Sequence, residues 1–156
     1  EREGEESVSL ADELELARHY LGIESVRFAD RLSTSFAVDP DALDVEVPAW
    51  ILQPLVENAV RHGVAPLARR GHVRVGATLA GDELHLTVED DGVGVEDAET
   101  DTPSGVGLGL RGTRERLRAA CGDRGRLDVE ARDAGGTRVS VALPAVERTG
   151  GAQRDD

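Results

Sequence analysis

Asn58, Arg61 and His62 sit three and four residues apart, in a run whose apolar residues keep the same steps. Ile51, Leu52, Leu55, Val56, Ala59 and Val60 make one buried face of a helix over residues 52–62. Residues at these steps are neighbours on a helix, so Asn58, Arg61 and His62, with Glu57 beside them, share a polar edge. That edge offers an amide oxygen, a fixed positive charge and an imidazole, which together suit a metal-bound polyphosphate. Taken alone, it suits a solvated helix face equally well.

Two further stretches carry chemistry. Asp90-Asp91-Gly92-Val93-Gly94 follows an alternating run. A carboxylate fixed at a strand end accepts a hydrogen bond from the exocyclic amine of adenine, and glycines after it let the backbone approach the base. An acidic strand-to-loop turn is the plain alternative. Gly105, Gly107 and Gly109 open a second helical pattern. Backbone N–H groups at a helix N-terminus bind phosphate, and glycines permit the approach. No Gly-Lys-Ser/Thr follows, so this is not a Walker loop. The parallel βαβ setting of a Rossmann motif is also missing.

Periodicity gives the elements that must hold these residues. Residues 1–7 are charged and patternless, a frayed start. Ser9 caps a helix, with Asp12 or Glu13 completing a capping box. Leu10, Leu14, Ala17 and Leu21 form its stripe, which has few partners within the chain and reads instead as the end of a helical hairpin whose other half is missing. Leu32–Val38 alternates and reads as a strand. Val45–Pro48 leads into the helix over 52–62, with Pro48 in its first turn, Pro54 inside it removing a backbone bond, and Gly63 as a left-handed cap. Residues 72–79 and 83–89 form a hairpin around Gly81-Asp82. Residues 95–104 are acidic, contain Pro103 and read as a mobile loop. A helix from 105 to about 120 turns Leu110, Thr113, Leu117 and Ala120 inward. Strands over 126–132 and 137–143 close the pattern. The order predicts an α+β fold, a two-layer sandwich of a mixed, mostly antiparallel sheet with helices on one face.

The 156 residues suffice for one domain with a sizeable core. A formal net charge of −13 disfavours nucleic acid and anionic membrane as partners. One cysteine excludes an internal disulfide, and no apolar run approaches a membrane span. These features predict a soluble, cytoplasmic chain without direct membrane contact, compatible with a piece cut from a larger membrane protein.

In order and spacing, residues 52–62, 90–94 and 105–110 resemble the N, G1 and G2 boxes of the catalytic, ATP-binding domain of bacterial sensor histidine kinases, the Bergerat or GHKL fold. The chain is most similar to the LytS/YehU-like branch, through Tyr20-Leu-Gly-Ile-Glu, Leu52-Gln-Pro-Leu-Val-Glu-Asn-Ala, Gly109-Leu-Arg-Gly-Thr-Arg-Glu-Arg-Leu, Gly136-Thr137 and Leu143-Pro144. The resemblance implies a protein-histidine kinase domain that takes ATP and Mg²⁺. It divides the chain into a tail and remnant of the dimerisation and phosphoacceptor helices (1–31), the catalytic domain (32–146) and a disordered tail (147–156). Asn58 would hold Mg²⁺, with Glu57 and Arg61 also in the catalytic set and Arg61 and His62 near the phosphates. Asp90 would read the adenine amine, with Gly92 and Gly94 shaping the base pocket and Thr137 nearby. Gly105, Gly107, Leu108, Gly109 and Leu110 would wrap the phosphates, and residues 95–104 would be the ATP lid. The implied partners are the dimerisation and phosphotransfer helices of a parent kinase and a response regulator receiver domain.

Some residues depart from the pattern. ATP-hydrolysing relatives of this fold place a glutamate where this chain has Pro54, which argues against an efficient ATPase. Glu57 could orient Asn58, assist transfer, or face solvent. The branch's acceptor histidine lies in a Pro-His-Phe context that His19, His62, His72 and His85 all lack. Cys121 reads as packing. Arg111, Arg114 and Arg118 read as a solvated stripe paired with Glu115, with Arg111 also within reach of a phosphate. A protein-serine kinase of the anti-sigma type, or a non-enzymatic ATP-sensing module, are the alternative functions on the same fold.

Overall fold

The computed structural model describes residues 6–29, 31–93 and 106–147. In chain order the elements are β1 (Ser7–Ser9), α1 (Leu10–Arg27), β2 (Leu32–Val38), β3 (Val45–Pro48), α2 (Gln53–Asn58), a π-helical turn (Ala59–Val64), β4 (Gly71–Ala80) and β5 (Glu83–Asp90). Then follow α3 (Val106–Cys121), β6 (Arg126–Ala131), β7 (Thr137–Pro144) and β8 (Val146–Glu147). The main sheet runs in the order β2-β4-β5-β7-β6. Only its β2–β4 pair is parallel, and the rest are antiparallel. Alternation explains its two faces: Val73, Val75 and Ala77 on β4 and Leu84, Leu86 and Val88 on β5 are buried against the helical layer. Gly81, at φ +63°, turns the β4–β5 hairpin. The α+β sandwich is as the sequence predicts.

A second, smaller sheet of order β1-β3-β8 is not predicted by the sequence pattern. Ser7 pairs with Pro48 and Glu147 with Val45, so Ser7 is not frayed and Glu147 still belongs to a strand. Strands this short cannot display a period, which is why alternation did not reveal them.

Ser9 Oγ accepts from Asp12 N–H at 3.2 Å and starts α1 as read. The stripe of α1 has more partners than the few that the sequence suggests, and it is no hairpin end left bare. Leu10, Leu14, Ala17 and Leu21 are buried in the same core as the sheet. Glu13 does not close a capping box. Its buried carboxylate reaches the start of α2, accepting from Trp50 N–H at 2.8 Å and Leu52 N–H at 3.1 Å. Leu52, the residue before the first turn of α2, makes no side-chain cap, and Glu13 instead holds the segment that enters the helix.

Both prolines are placed differently from the reading. Pro48 closes β3, and Pro54 lies in the first turn of α2, where its missing N–H has no helical partner to lose. Past Asn58 the helix widens, with Ala65 N–H donating to Val60 O at 2.7 Å. Gly63 lies inside this π-helical turn and is not left-handed, so it is no cap. On α3, Leu110, Thr113 and Leu117 face the core, but Ala120 is exposed and Cys121 packs inward in its place. Arg114 leaves the solvated stripe and donates to Leu127 O at 3.0 and 3.3 Å. The lid assigned to residues 95–104 lies outside the described residues, as does the tail beyond Glu147.

Candidate functional site

β5 delivers Asp90 to the end of the sheet with 4% of its surface exposed. Gly92 N–H donates to its Oδ1 at 2.9 Å, and the backbone N–H of Thr137 also bonds the carboxylate. Thr137 is Asp90's register partner on β7 and is itself buried. Burial pushes the Asp90 carboxyl up to about 6, against the two backbone donors; Asp91 raises it further and Arg132 opposes. Backbones crowd it closely. A Cβ on Gly63 would lie 2.5 Å from the carboxyl group, one on Gly92 2.0 Å from Gly63 O, and one on Gly136 1.9 Å from Asp90 O. Glycine is therefore required at these positions by contact, not by a turn alone. The result is a buried acceptor at a strand end, approached closely by chain that has no side chains. A flat ring bearing an amine fits such an acceptor.

Asp91 turns the other way. Its Oδ1 accepts from His72 N–H at 2.8 Å, and Arg69 Nη2 donates to its main-chain oxygen at 2.7 Å. His72 itself is bracketed by Ser33 Oγ at 2.7 Å and Ser35 Oγ at 2.9 Å on its two ring nitrogens.

The polar edge lies where α2 passes into the π-helical turn. Glu57 is half-buried and accepts from Gln53 Nε2 at 3.1 Å. Asn58 and His62 are half-buried and Arg61 is exposed. Burial, then the charge of Arg61, lowers the pKa of His62, disfavouring its charged form. Tyr20 on α1 joins this field. Burial first, then Glu24 and Glu57, push its hydroxyl up to about 12, while Arg61 pulls against them. Gly63, next after His62 in the chain, ties this edge to Asp90.

Gly107, Leu108 and Gly109 fall in the first turn of α3, which packs on α2. The Leu110 side chain is in the core. Gly94 and Gly105 lie outside the described residues. Sequence reasoning missed Gly63, read as a helix cap, and Gly136, noted only beside Thr137, as neighbours of Asp90. It also missed Arg132, for which no signal existed in the sequence. Among the described residues, no group of His, Cys, Asp and Glu could hold a metal ion by itself, and no helix is long and apolar enough to cross a membrane.

Comparison with known proteins agrees with this geometry. A family model described as histidine kinase-, DNA gyrase B-, and HSP90-like ATPase matches residues 44–147. The sensor histidine kinase BtsS of Escherichia coli (strain K12) is 37% identical over 139 residues, 89% of this chain and 24% of that protein. The sensor protein LytS of Oceanobacillus iheyensis is 32% identical over 150 residues, 90% of this chain and 26% of that protein. The chain thus spans about a quarter of the length of these relatives. In fold it matches the catalytic domain of histidine kinase ThkA, with a TM-score of 0.71 at 16% identity over 92% of this chain and 99% of that one. ThkA in complex with the response regulator protein TrrA gives 0.69 at 17% identity, over 91% of this chain and 42% of that one. The chain belongs to the histidine kinase-, DNA gyrase B- and HSP90-like ATPase family, and corresponds to the ATP-binding catalytic domain of sensor histidine kinases.

Proposed function

We propose that this domain binds ATP with Mg²⁺ between the α2 edge and the end of β5, and transfers the γ-phosphate to a histidine on dimerisation and phosphotransfer helices of a parent kinase. The observation that carries this is Asp90: a buried carboxylate, flanked by glycine backbones, one residue in space from the Asn58–His62 edge through Gly63. Asp90 accepts from the adenine amine. Backbone N–H groups at the start of α3, with Gly105, Gly107 and Gly109, hold the phosphates. Asn58 offers Mg²⁺ a neutral oxygen, and since no acidic or histidine cluster is at hand among the described residues, the nucleotide's phosphate oxygens and water would fill the rest of the shell. The ion supplies charge neutralisation at the phosphates when bound.

In the transfer, a ring nitrogen of the acceptor imidazole attacks the γ-phosphorus while the bond to the β–γ bridging oxygen breaks and ADP leaves. The chain's own residues hold the nucleotide in line; Arg61 faces the developing charge, and Glu57, held by Gln53, steadies the turn that presents Asn58. Pro54, where ATP-hydrolysing relatives carry a glutamate, removes a base for water. We place the domain in the cytoplasm, with a response regulator receiver domain as the next acceptor, a reading supported by ThkA's complex with TrrA.

Calorimetry tests the metal role directly. Asn58→Ala weakens Mg·ATP much more than metal-free ADP. Equal losses for both ligands would make Asn58 a packing residue. Transfer is tested by supplying the acceptor helices separately with γ-labelled ATP: acid-labile, base-stable label on their histidine is the expected product.

A further inference from the structure

The β6–β7 hairpin brings one more side chain to Asp90. Arg132 follows β6, and its Nη1 donates to the main-chain oxygen of Asp90 at 2.9 Å. Its Nε faces Glu89 Oε1 at 3.8 Å, and the side chain is only 23% exposed. Glu89 is held in turn by Arg138 at 2.9 Å. The backbone of Arg132 is equally fixed: its N–H donates to Gly136 O and its carbonyl accepts from Gly135 N–H, both at 3.0 Å. Gly135 and Gly136, at φ +108° and +93°, bend the hairpin so that Gly136 rests on the Asp90 carbonyl. The peptide leaving Asp90 is therefore gripped from the hairpin side by a guanidinium and a glycine. That peptide and the Asp90 carboxylate share one Cα, so fixing the first limits the second.

We propose that Arg132 is a positioning residue of the nucleotide site: by holding the Asp90 main-chain oxygen to the hairpin, it sets the direction in which the Asp90 carboxylate meets the base. This rests on Asp90 being the adenine acceptor. The charged groups facing Asp90 are Asp91 beside it and Arg132 from the hairpin. β7 presents the Thr137 N–H and the π-helical turn presents the Gly63 backbone. His72 and Arg69 are engaged with Asp91.

The test is ADP calorimetry on the whole chain between about pH 5 and 8, with Arg132→Gln, Arg132→Lys, Asp90→Asn and the Arg132→Gln/Asp90→Asn double variant, each checked by its melting temperature. Arg132→Gln weakens ADP about tenfold at neutral pH. It also moves the acid limb of binding to higher pH, since a cation beside the carboxylate is gone. Arg132→Lys restores the limb but not the full affinity, because an ammonium cannot reproduce the fork between the carbonyl and Glu89. In the Asp90→Asn background the Arg132→Gln loss largely disappears. An equal loss in both backgrounds with an unmoved acid limb would make Arg132 structural and overturn the proposal alone. An Asp90→Asn variant that binds ADP as tightly as the parent would overturn the adenine assignment and the Arg132 role together.

Discussion

Burial holds the Asp90 carboxyl near 6, and under the proposed adenine role the same group serves stability and binding in opposite senses. Between its unfolded value of 3.8 and its folded value of about 6, the folded state holds the proton more tightly. Its stabilising contribution is therefore complete below the unfolded pKa and is lost as pH rises through about 6. At neutral pH the buried charge costs on the order of 3 kcal/mol. Adenine wants the opposite state, because the carboxylate is the stronger acceptor. We expect ligand-free protein to gain melting temperature relative to Asp90→Asn as pH falls from about 7.5 to 5, while ADP affinity of the parent falls over the same window. Asp90→Asn should lose about 1–3 kcal/mol of ADP binding at neutral pH, and GTP, whose base carries a carbonyl at that position, should compete poorly. Parallel pH profiles for the parent and Asp90→Asn would remove this account. Asp90 could be singled out from its place before two glycines, and the structure buries its carboxylate at the end of β5. Its neighbours Gly63 and Gly136 could not be, since each also satisfies a local rule and only the folded contact distinguishes the two reasons.

At the scale of elements, the long helix patterns and the β4–β5 hairpin could be read from periodicity, because each repeats a buried face several times. The start of α2 could not. The N–H groups of Trp50 and Leu52, just before it, are satisfied by Glu13, thirty-nine residues away from Leu52 in the chain, and a local capping rule sends the same residue to α1 instead. On the other side, Arg116 of α3 donates to Ala49 O. Between these grips Trp50 is held at φ +67°, a conformation that costs a residue with a side chain about 1–2 kcal/mol. Glu13 thus fixes the segment that leads into α2, the helix that carries Asn58. Glu13→Ala leaves the buried Leu52 N–H and the part-buried Trp50 N–H without their acceptor. It should destabilise the domain by about 2–4 kcal/mol in urea titrations, with weaker Mg·ATP binding in the fraction that remains folded. Glu13→Gln keeps one acceptor oxygen and should lose less than half as much. A cost for Glu13→Ala no larger than that of a surface substitution would show that water or a rearranged loop replaces the carboxylate.

Across the whole molecule, the histidines decide what the domain can do by itself. His72 has both ring nitrogens occupied by Ser33 and Ser35. His85 faces Glu83 at 3.1 Å on the outer side of the sheet. His62 belongs to the polar edge, next to the residues assigned to the phosphates. That leaves His19, exposed on α1. The opposite face of α1 is sealed into the core by Leu10, Leu14, Ala17 and Leu21, so the helix is part of the domain and not an arm free to enter its site. The sequence pattern found the stripe but not its partner, because a stripe records that a face is buried and not against what. Positioning supplies much of the rate of a phosphoryl transfer, and a histidine fixed on the domain's own surface lacks it. We therefore expect the chain to bind ATP and to remain unlabelled by γ-labelled ATP, whereas a separately supplied helical hairpin bearing a Pro-His-Phe acceptor takes up label on histidine. Asn58→Ala should abolish that transfer without unfolding the domain. The deciding control is His19→Gln in the isolated chain. Label that accumulates on the unmodified chain and vanishes in His19→Gln would make His19 the acceptor, and α1 would then have to leave the core to reach the nucleotide.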